Sequence, residues 1–286
     1  MEVFGQILIS GLSNGAIYGV IAFGFVVVFN VIGTLNFPQG MYLLLGAFFA
    51  LMFLELGLPL PLAAIVAVIV VVIIVALFTR FTAIHMRHKE FSALVLVMCG
   101  LAFLYEGIML LAFGFYPKPF PAFSETIVVQ LGELFIATQS IWVIGITVVL
   151  GIALWYFFNR HIYGKAMRAT SQNPVAARLI GVNIKTMMTL SVILSAGLGA
   201  TAGIAVAPLS YVIYNVGWML TMRGFVAAVI GGGLTSYVGA FVGGLVVGII
   251  EAVTIGYVTS MFKDVVLFGI LIVLLILRPN GLLGKR

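Results

Sequence analysis

The chain is poor in charge. Only 8% of its 286 residues are Asp, Glu, Lys or Arg, where a soluble domain carries about a quarter. With 63% of residues apolar, so short a chain cannot cover itself with polar surface, and the bilayer is its solvent. Cysteine is almost missing. Cys99 alone excludes an internal disulfide, and in an apolar run a thiol is a small buried apolar side chain. The three histidines, His85, His88 and His161, have no companion Cys, Asp or Glu at metal-ligand spacing. No Gly-rich loop ends in Lys-Ser or Lys-Thr, so the chain has no phosphate-binding loop of its own. No Lys or Arg precedes the first apolar run and no small-residue cleavage pattern follows it, so that run is expected to act as an uncleaved insertion signal. Lys and Arg outnumber Asp and Glu, 14 to 8. They lie in short loops rather than on one basic face, which argues against nucleic acid as a partner.

What is present is a succession of apolar runs bounded by charge or by Pro and Gly. They cover 6–31, 37–56, 60–82, 91–115, 140–158, 187–207, 220–233, 238–258 and 265–277. The expected fold is an all-α membrane protein, a polytopic bundle of eight or nine transmembrane helices forming one domain over 1–286. A helix needs about 20 residues to cross a ~30 Å core. The run 220–233 is short for that, and an eight-span bundle requires a re-entrant segment. The stretch 116–139, with Pro117, Pro119 and Pro121, is a loop carrying a short hairpin or an interfacial turn.

Placement of basic residues sets the orientation. With nine crossings, Arg80, Arg87, Lys89, Arg160, Lys165, Arg168, Arg178, Lys185, Arg278, Lys285 and Arg286 all fall on one side, joined by Glu90 alone among the acids. Positive loops stay in the cytoplasm. The loop 159–186 and the C-terminus are therefore expected inside, and the N-terminus and the 116–139 loop, with Glu125 and Glu133, outside.

Close helix contacts in lipid use small residues four apart. Three such stripes are present: Gly11, Gly15 and Gly19; Ser191, Ser195, Gly199 and Gly203; Ala240, Gly244, Gly248 and Ala252. Two places break the helical pattern inside apolar sequence, Asn36-Phe37-Pro38-Gln39-Gly40 and Gly231-Gly232-Gly233 with Thr235 and Ser236. Irregular backbone at membrane depth survives only where protein or a wet cavity satisfies it, so each break is either part of a translocation path or an ordinary turn near the surface. Glu106, Glu251 and Arg223 also lie in apolar runs, where a charge costs about 3 kcal/mol. Glu251 either pairs with Arg223, faces a cavity or reaches water near an end, and Glu106, closer to the outer end of its run, is placed to reach water. Asn14, Asn36, Gln39, Arg223 and Glu251 are the candidate lining residues of a path.

A polar island at 168–183 interrupts the apolar pattern. Asn173 suits an N-cap and Pro174 the first helical position. Val175, Ala176, Leu179 and Ile180 fall on one face, Arg178 complements the dipole, and Gly181 suits a left-handed stop. The island reads as a short capped surface helix, either a docking element or an ordinary connecting loop.

Several motifs in this order resemble one family. They are Asn14-Gly15 and Tyr18-Gly19; Gly33-Thr34-Leu35-Asn36-Phe37 with Gly40; Gly164-Lys165-Ala166-Met167-Arg168-Ala169 followed by Asn173, Ala176 and Leu179-Ile180-Gly181-Val182-Asn183; Phe225-Val226-Ala227-Ala228-Val229-Ile230-Gly231-Gly232; and Gly239-Ala240, Gly243-Gly244, Gly248, Glu251-Ala252, Lys263-Asp264-Val265-Val266 and Arg278-Pro279-Asn280-Gly281-Leu282-Leu283-Gly284. The chain resembles the permease subunits of ABC importers for branched-chain amino acids over nearly its whole length. The resemblance implies a machine of two permeases, two cytoplasmic ABC ATPase subunits and an extracytoplasmic solute-binding protein in a bacterial inner membrane. ATP would be bound by the ATPases, with no cofactor and no catalysis in this chain. The island would then be the coupling helix, with Arg168, Ala169, Asn173, Ala176, Ala177, Gly181 and Asn183 as the ATPase-coupling residues. Two departures put the solute in question. The family commonly has Phe-Ala-His-Gly plus an acid where this chain has Phe37-Pro38-Gln39-Gly40-Met41, and the glycine segment from Gly231 is one residue longer.

The competing function is an ion-coupled secondary transporter built on Glu251 and Arg223. An intramembrane enzyme would need convergent acids or His ligands, and the sequence offers only scattered ones. The orientation is testable directly: a cysteine placed at Ser171 should react with an impermeant maleimide from the cytoplasmic side only, and labelling from outside would invert the topology.

Overall fold

Helices that are apolar on every side carry no amphipathic stripe to orient them, so backbone shape decides how they pack. The structure, a computed structural model, describes residues 2–85, 91–124, 128–131, 134–278 and 280–284. Arg87, His88, Lys89, Glu90, Glu125, Glu133, Pro279, Lys285 and Arg286 lie outside the described residues.

Among the described residues are eleven α-helices: α1 (Glu2–Ile32), α2 (Gln39–Glu55), α3 (Leu60–His85), α4 (Phe91–Phe113), α5 (Thr138–Arg160), α6 (Ile162–Gln172), α7 (Pro174–Leu179), α8 (Ile184–Val206), α9 (Gly217–Gly232), α10 (Tyr237–Tyr257) and α11 (Lys263–Leu277). Strands β1 (Val128–Leu131) and β2 (Leu134–Ala137) form one antiparallel hairpin, with Val129 opposite Ile136. The protein is an all-α membrane protein, with seven helical segments long and apolar enough to cross a bilayer. The two remaining apolar helices, α2 and α9, have 17 and 16 residues. The hairpin lies in the 116–139 loop, and Lys118 of that loop exchanges backbone hydrogen bonds with Val212. The segments that follow α4 and α8 are thereby joined.

The small-residue stripes are where the backbones meet. α1 and α10 run antiparallel, and the contact steps back one turn at a time. A Cβ on Gly11 would lie 3.0 Å from Ile249 Cα, on Gly15 2.8 Å from Leu245 Cα, and on Gly19 3.4 Å from Phe241 Cα. Gly244 and Gly248 answer from the other side, against the backbone of Gly19, Gly15 and Gly11. The stripe on α8 faces α1 and α2: Ser195 Oγ donates to the Gly24 carbonyl at 3.1 Å, and Gly199 and Gly203 admit Tyr42 and Leu43. Around these seams lie two apolar cores. One gathers Ile21, Phe25, Val226, Ile230 and Val247 from α1, α9 and α10, and the other Tyr42, Phe48, Tyr105 and Met109 from α2 and α4, with α3 and α8.

The two breaks differ. The first, between α1 and α2, is buried beside the middle of α8. The second, after α9, is a turn at an end of the bundle, with Thr235 exposed. Gly233 (φ +60°) and Leu234 (φ +69°) turn left-handed there. The chain beyond α11 then closes the end of α9: Leu282 N–H donates to the Ile230 carbonyl at 2.8 Å and Leu283 N–H to that of Gly231 at 2.9 Å. Carbonyls that a helix end leaves unpaired are met by this returning strand.

Because Gly15 has no room for a side chain, Gly15→Val should destabilise the bundle by about 1–3 kcal/mol. Gly145→Ala, where a Cβ meets nothing within 4 Å in the interior of α5, should keep stability or raise it by up to about 1 kcal/mol. Thermal unfolding of both variants in detergent checks the pair.

Candidate functional site

The connection between α5 and α8 is fixed at every joint. Asn173 Oδ1 accepts from the backbone N–H groups of Val175 and Ala176, both at 3.0 Å, and Pro174 opens α7. At the other end Gly181 turns left-handed (φ +88°). Its N–H donates to the Arg178 carbonyl at 3.1 Å, and Val182 N–H donates to that of Ala177 at 3.0 Å. This is the double-bonded stop that glycine permits. Asn183 then caps α8 through Lys185 N–H and Thr186 N–H. A six-residue helix has little stability of its own; two asparagine caps and a glycine give it one shape.

That helix presents apolar side chains outward. Val175, Leu179 and Ile180 are 69%, 84% and 76% exposed, and Ala176 is exposed beside them. Ala177 is not part of this face. It is 2% exposed and turned into the corner that α7 makes with α6 and α8, so of the two alanines that the resemblance assigns to coupling, Ala176 is exposed and Ala177 is buried. The reason is rotation: Ala177 is the position of α7 that points back at the chain. Arg168 sits on α6, and its Nη1 donates to Asn159 Oδ1 at the end of α5, 2.9 Å away. Ala169 is half-buried on the same helix. The island is thus two helices, with Arg168 and Ala169 in the first and Ala176 in the second.

The break between α1 and α2 is held by side chains. Asn36 Nδ2 donates to Gln39 Oε1 and to Ser195 Oγ, each at 2.9 Å, and Tyr42 OH donates to Asn36 Oδ1. Gln39 Nε2 donates to the Ser195 carbonyl at 3.2 Å. Gly40 N–H donates to Thr221 Oγ1 at 3.0 Å, and a Cβ on Gly40 would strike the Gly217 carbonyl and Thr221 at the start of α9. Asn36, Gln39, Ser195 and Thr221 are all fully buried. The backbone irregularity is satisfied by protein, as one in a membrane must be.

Arg223 and Glu251 meet. Arg223 Nη1 lies 3.0 Å from Glu251 Oε1, and Nη2 lies 3.0 Å from Asp264 Oδ1. Tyr18 OH donates to Glu251 Oε2 and accepts from Arg223 Nη1 at 3.1 Å. Lys263 Nζ stands 3.8 Å from Glu251 Oε1. The cluster joins α1, α9, α10 and the start of α11 with two charges of each sign. Of the readings open for Glu251, pairing is the one found. The sequence picked out Arg223 and Glu251 but missed Tyr18 and Asp264, which lie on helices with no local spacing to tie them together. Asn14 is half-buried on α1 and joins neither polar cluster.

The family model described as "Branched-chain amino acid transport system / permease component" matches residues 7–275. The chain belongs to that family. It is 28% identical to the high-affinity branched-chain amino acid transport system permease protein LivH of Escherichia coli (strain K12), covering 99% of this chain and 96% of that one. It is also 28% identical to the corresponding permease protein BraD of Pseudomonas aeruginosa, covering 98% and 95%. Its fold is similar to that in the solved structure of PsaBC from Streptococcus pneumoniae in complex with Fab, with a TM-score of 0.52, 15% identity, and 98% and 93% of the two chains covered. The family is that of a membrane transport system's permease component.

Removing one partner of a buried ion pair leaves the other uncompensated. Arg223→Met should therefore destabilise the protein by about 3–5 kcal/mol, whereas Arg223→Met with Glu251→Met should recover most of that loss. Unfolding midpoints of the single and double variants decide whether this cluster is structural. A double variant no more stable than the single would show that it is not.

Proposed function

We propose that this chain is the permease subunit of an ATP-driven ABC importer, moving a small polar solute, a branched-chain or other amino acid, into the cytoplasm by alternating access. The observation that carries the reading is α7: a rigidly capped helix on the connection between α5 and α8, with Val175, Ala176, Leu179 and Ile180 outward. Apolar side chains held at a fixed angle outside the spans suit a protein partner. In this reading the partner is one of two cytoplasmic ABC ATPase subunits. ATP is bound by them and no cofactor by this chain. A second homologous permease completes the pore, and an extracytoplasmic solute-binding protein delivers the solute.

The mechanism follows from stiffness. α6 packs on α5, α1 and α8, so a push on α7 is passed to three spans at once rather than absorbed in a loop. The glycine seams between α1 and α10 let those helices move as one piece. A two-state bundle biased by ATPase closure then opens alternately to each side. The site residues keep the roles the family resemblance gives them, with one change: Ala176, Leu179, Ile180 and Val175 make the contact, while Asn173, Gly181 and Asn183 fix its geometry and Ala177 packs inward. The chain sits in a bacterial inner membrane as one domain, N-terminus outside and C-terminus inside, with the coupling loop at about 159–186 and the external loop at about 116–139. Arg223 and Glu251, satisfied by each other, are not free for the ion coupling of a secondary transporter.

A charge on the exposed face tests this. Leu179→Asp should weaken ATPase co-purification by at least about thirtyfold, the loss of a ~2 kcal/mol anchor, with unchanged insertion and folding. Full ATPase recovery with wild-type uptake would refute the coupling role.

A further inference from the structure

One charged group in the spans is left over from the structural networks. Among the described residues, Glu106 is the one acid inside a candidate membrane span with no basic partner. It lies on α4, seven residues before the helix ends at Phe113, which places it about 10 Å below that end. The carboxylate is half-buried and takes one hydrogen bond, from Trp218 Nε1 at 3.1 Å. Trp218 is in the first turn of α9. Its ring lies 5.0 Å from that of Phe103, one turn before Glu106 on α4, and 6.2 Å from that of Phe37 in the α1–α2 break. Three rings and an unpaired carboxylate therefore converge where α4, the break and the start of α9 come together. Phe103 is 62% exposed, so the cluster is open on the outer face of this chain.

An acid facing hydrocarbon costs about 3 kcal/mol, so this face borders something that can use the charge. Aromatic faces and a carboxylate attract the same ligand, a cation with N–H donors. We propose that Glu106, with Phe37, Phe103 and Trp218, recognises the primary ammonium group of the transported solute. The carboxylate accepts its hydrogen bonds while the rings cover its charge. The proposal rests on the permease reading and adds to it a place for the amino group. A lipid ammonium headgroup has the same chemistry but would have to sink about 10 Å below the end of α4 to reach the acid, so the solute is the ligand.

The test uses Glu106→Gln, whose amide oxygen still accepts from the Trp218 indole and so preserves the local structure while removing the charge. The complete transporter, with its ATPases, second permease and binding protein, is reconstituted and offered the twenty labelled amino acids, in vesicles with and without phosphatidylethanolamine. Wild type should import an amino acid, and the Gln variant should import it about tenfold less or worse, the loss expected when a charged hydrogen bond goes. ATPase co-purification should be equal in both, and Glu106→Asp should restore part of the uptake. Uptake by the Gln variant within twofold of wild type overturns the proposal, as does a defect confined to vesicles containing phosphatidylethanolamine. A wild-type complex that recovers its ATPases and imports only solutes lacking an ammonium group overturns it as well. A chain that recovers no ATPase at all overturns instead the permease reading.

Discussion

The antiparallel contact of α1 with α10 is the constraint on which the bundle depends. In lipid, apolar side chains gain nothing by leaving tails for one another, so helix pairs are selected by how closely their backbones approach. Gly11, Gly15 and Gly19 on one helix and Gly244 and Gly248 on the other bring two main chains together over three turns. That seam places α9 as well, because α9 packs on both helices. It therefore decides that Arg223, Glu251 and Tyr18 share one volume. The buried charges follow from the glycines rather than creating the contact.

Much of this was readable beforehand. The three small-residue stripes name their own faces, and their spacing is the physical cause of the packing. The ends of α7 were legible because Asn173, Pro174 and Gly181 act within a few residues of themselves, whereas Asn183, named only through the resemblance, proves to cap α8. Contacts between distant segments were not. Tyr18 and Glu251 are 233 positions apart, and no local pattern announces that a phenol will complete an ion pair. The inward turn of Ala177 was hidden for a related reason: a six-residue helix has too few positions for periodicity to say which one the rest of the chain will cover. Both breaks interrupt apolar sequence, yet only Asn36 and Gln39 lie opposite a helix, α8, that can satisfy them. The Gly231–Ser236 segment is met instead by the tail that follows α11.

The buried networks within the spans and the acid Glu106 differ in kind. The Asn36–Gln39–Ser195 set and the Arg223–Glu251 set are bonded to one another, and groups so satisfied hold helices in register. Glu106 is not so satisfied. A membrane protein that is frugal with charge, at 8% of its residues, spends most of what it buries on fastening. Among the described residues, the distinction separates the bonded groups that maintain the shape from the acid without a basic partner, and it cuts across the candidate path residues chosen from polarity alone.

The seam between α1 and α10 also has a temporal side. Ribosomal synthesis delivers the glycine face of α1 first, and its mate arrives only after more than two hundred further residues, as the separation of Gly15 from Leu245 requires. Until then the groove on α1 lies bare in the lipid, available to any passing helix with small residues of its own. Membrane biogenesis of this protein must therefore shelter α1 until α10 comes to claim it.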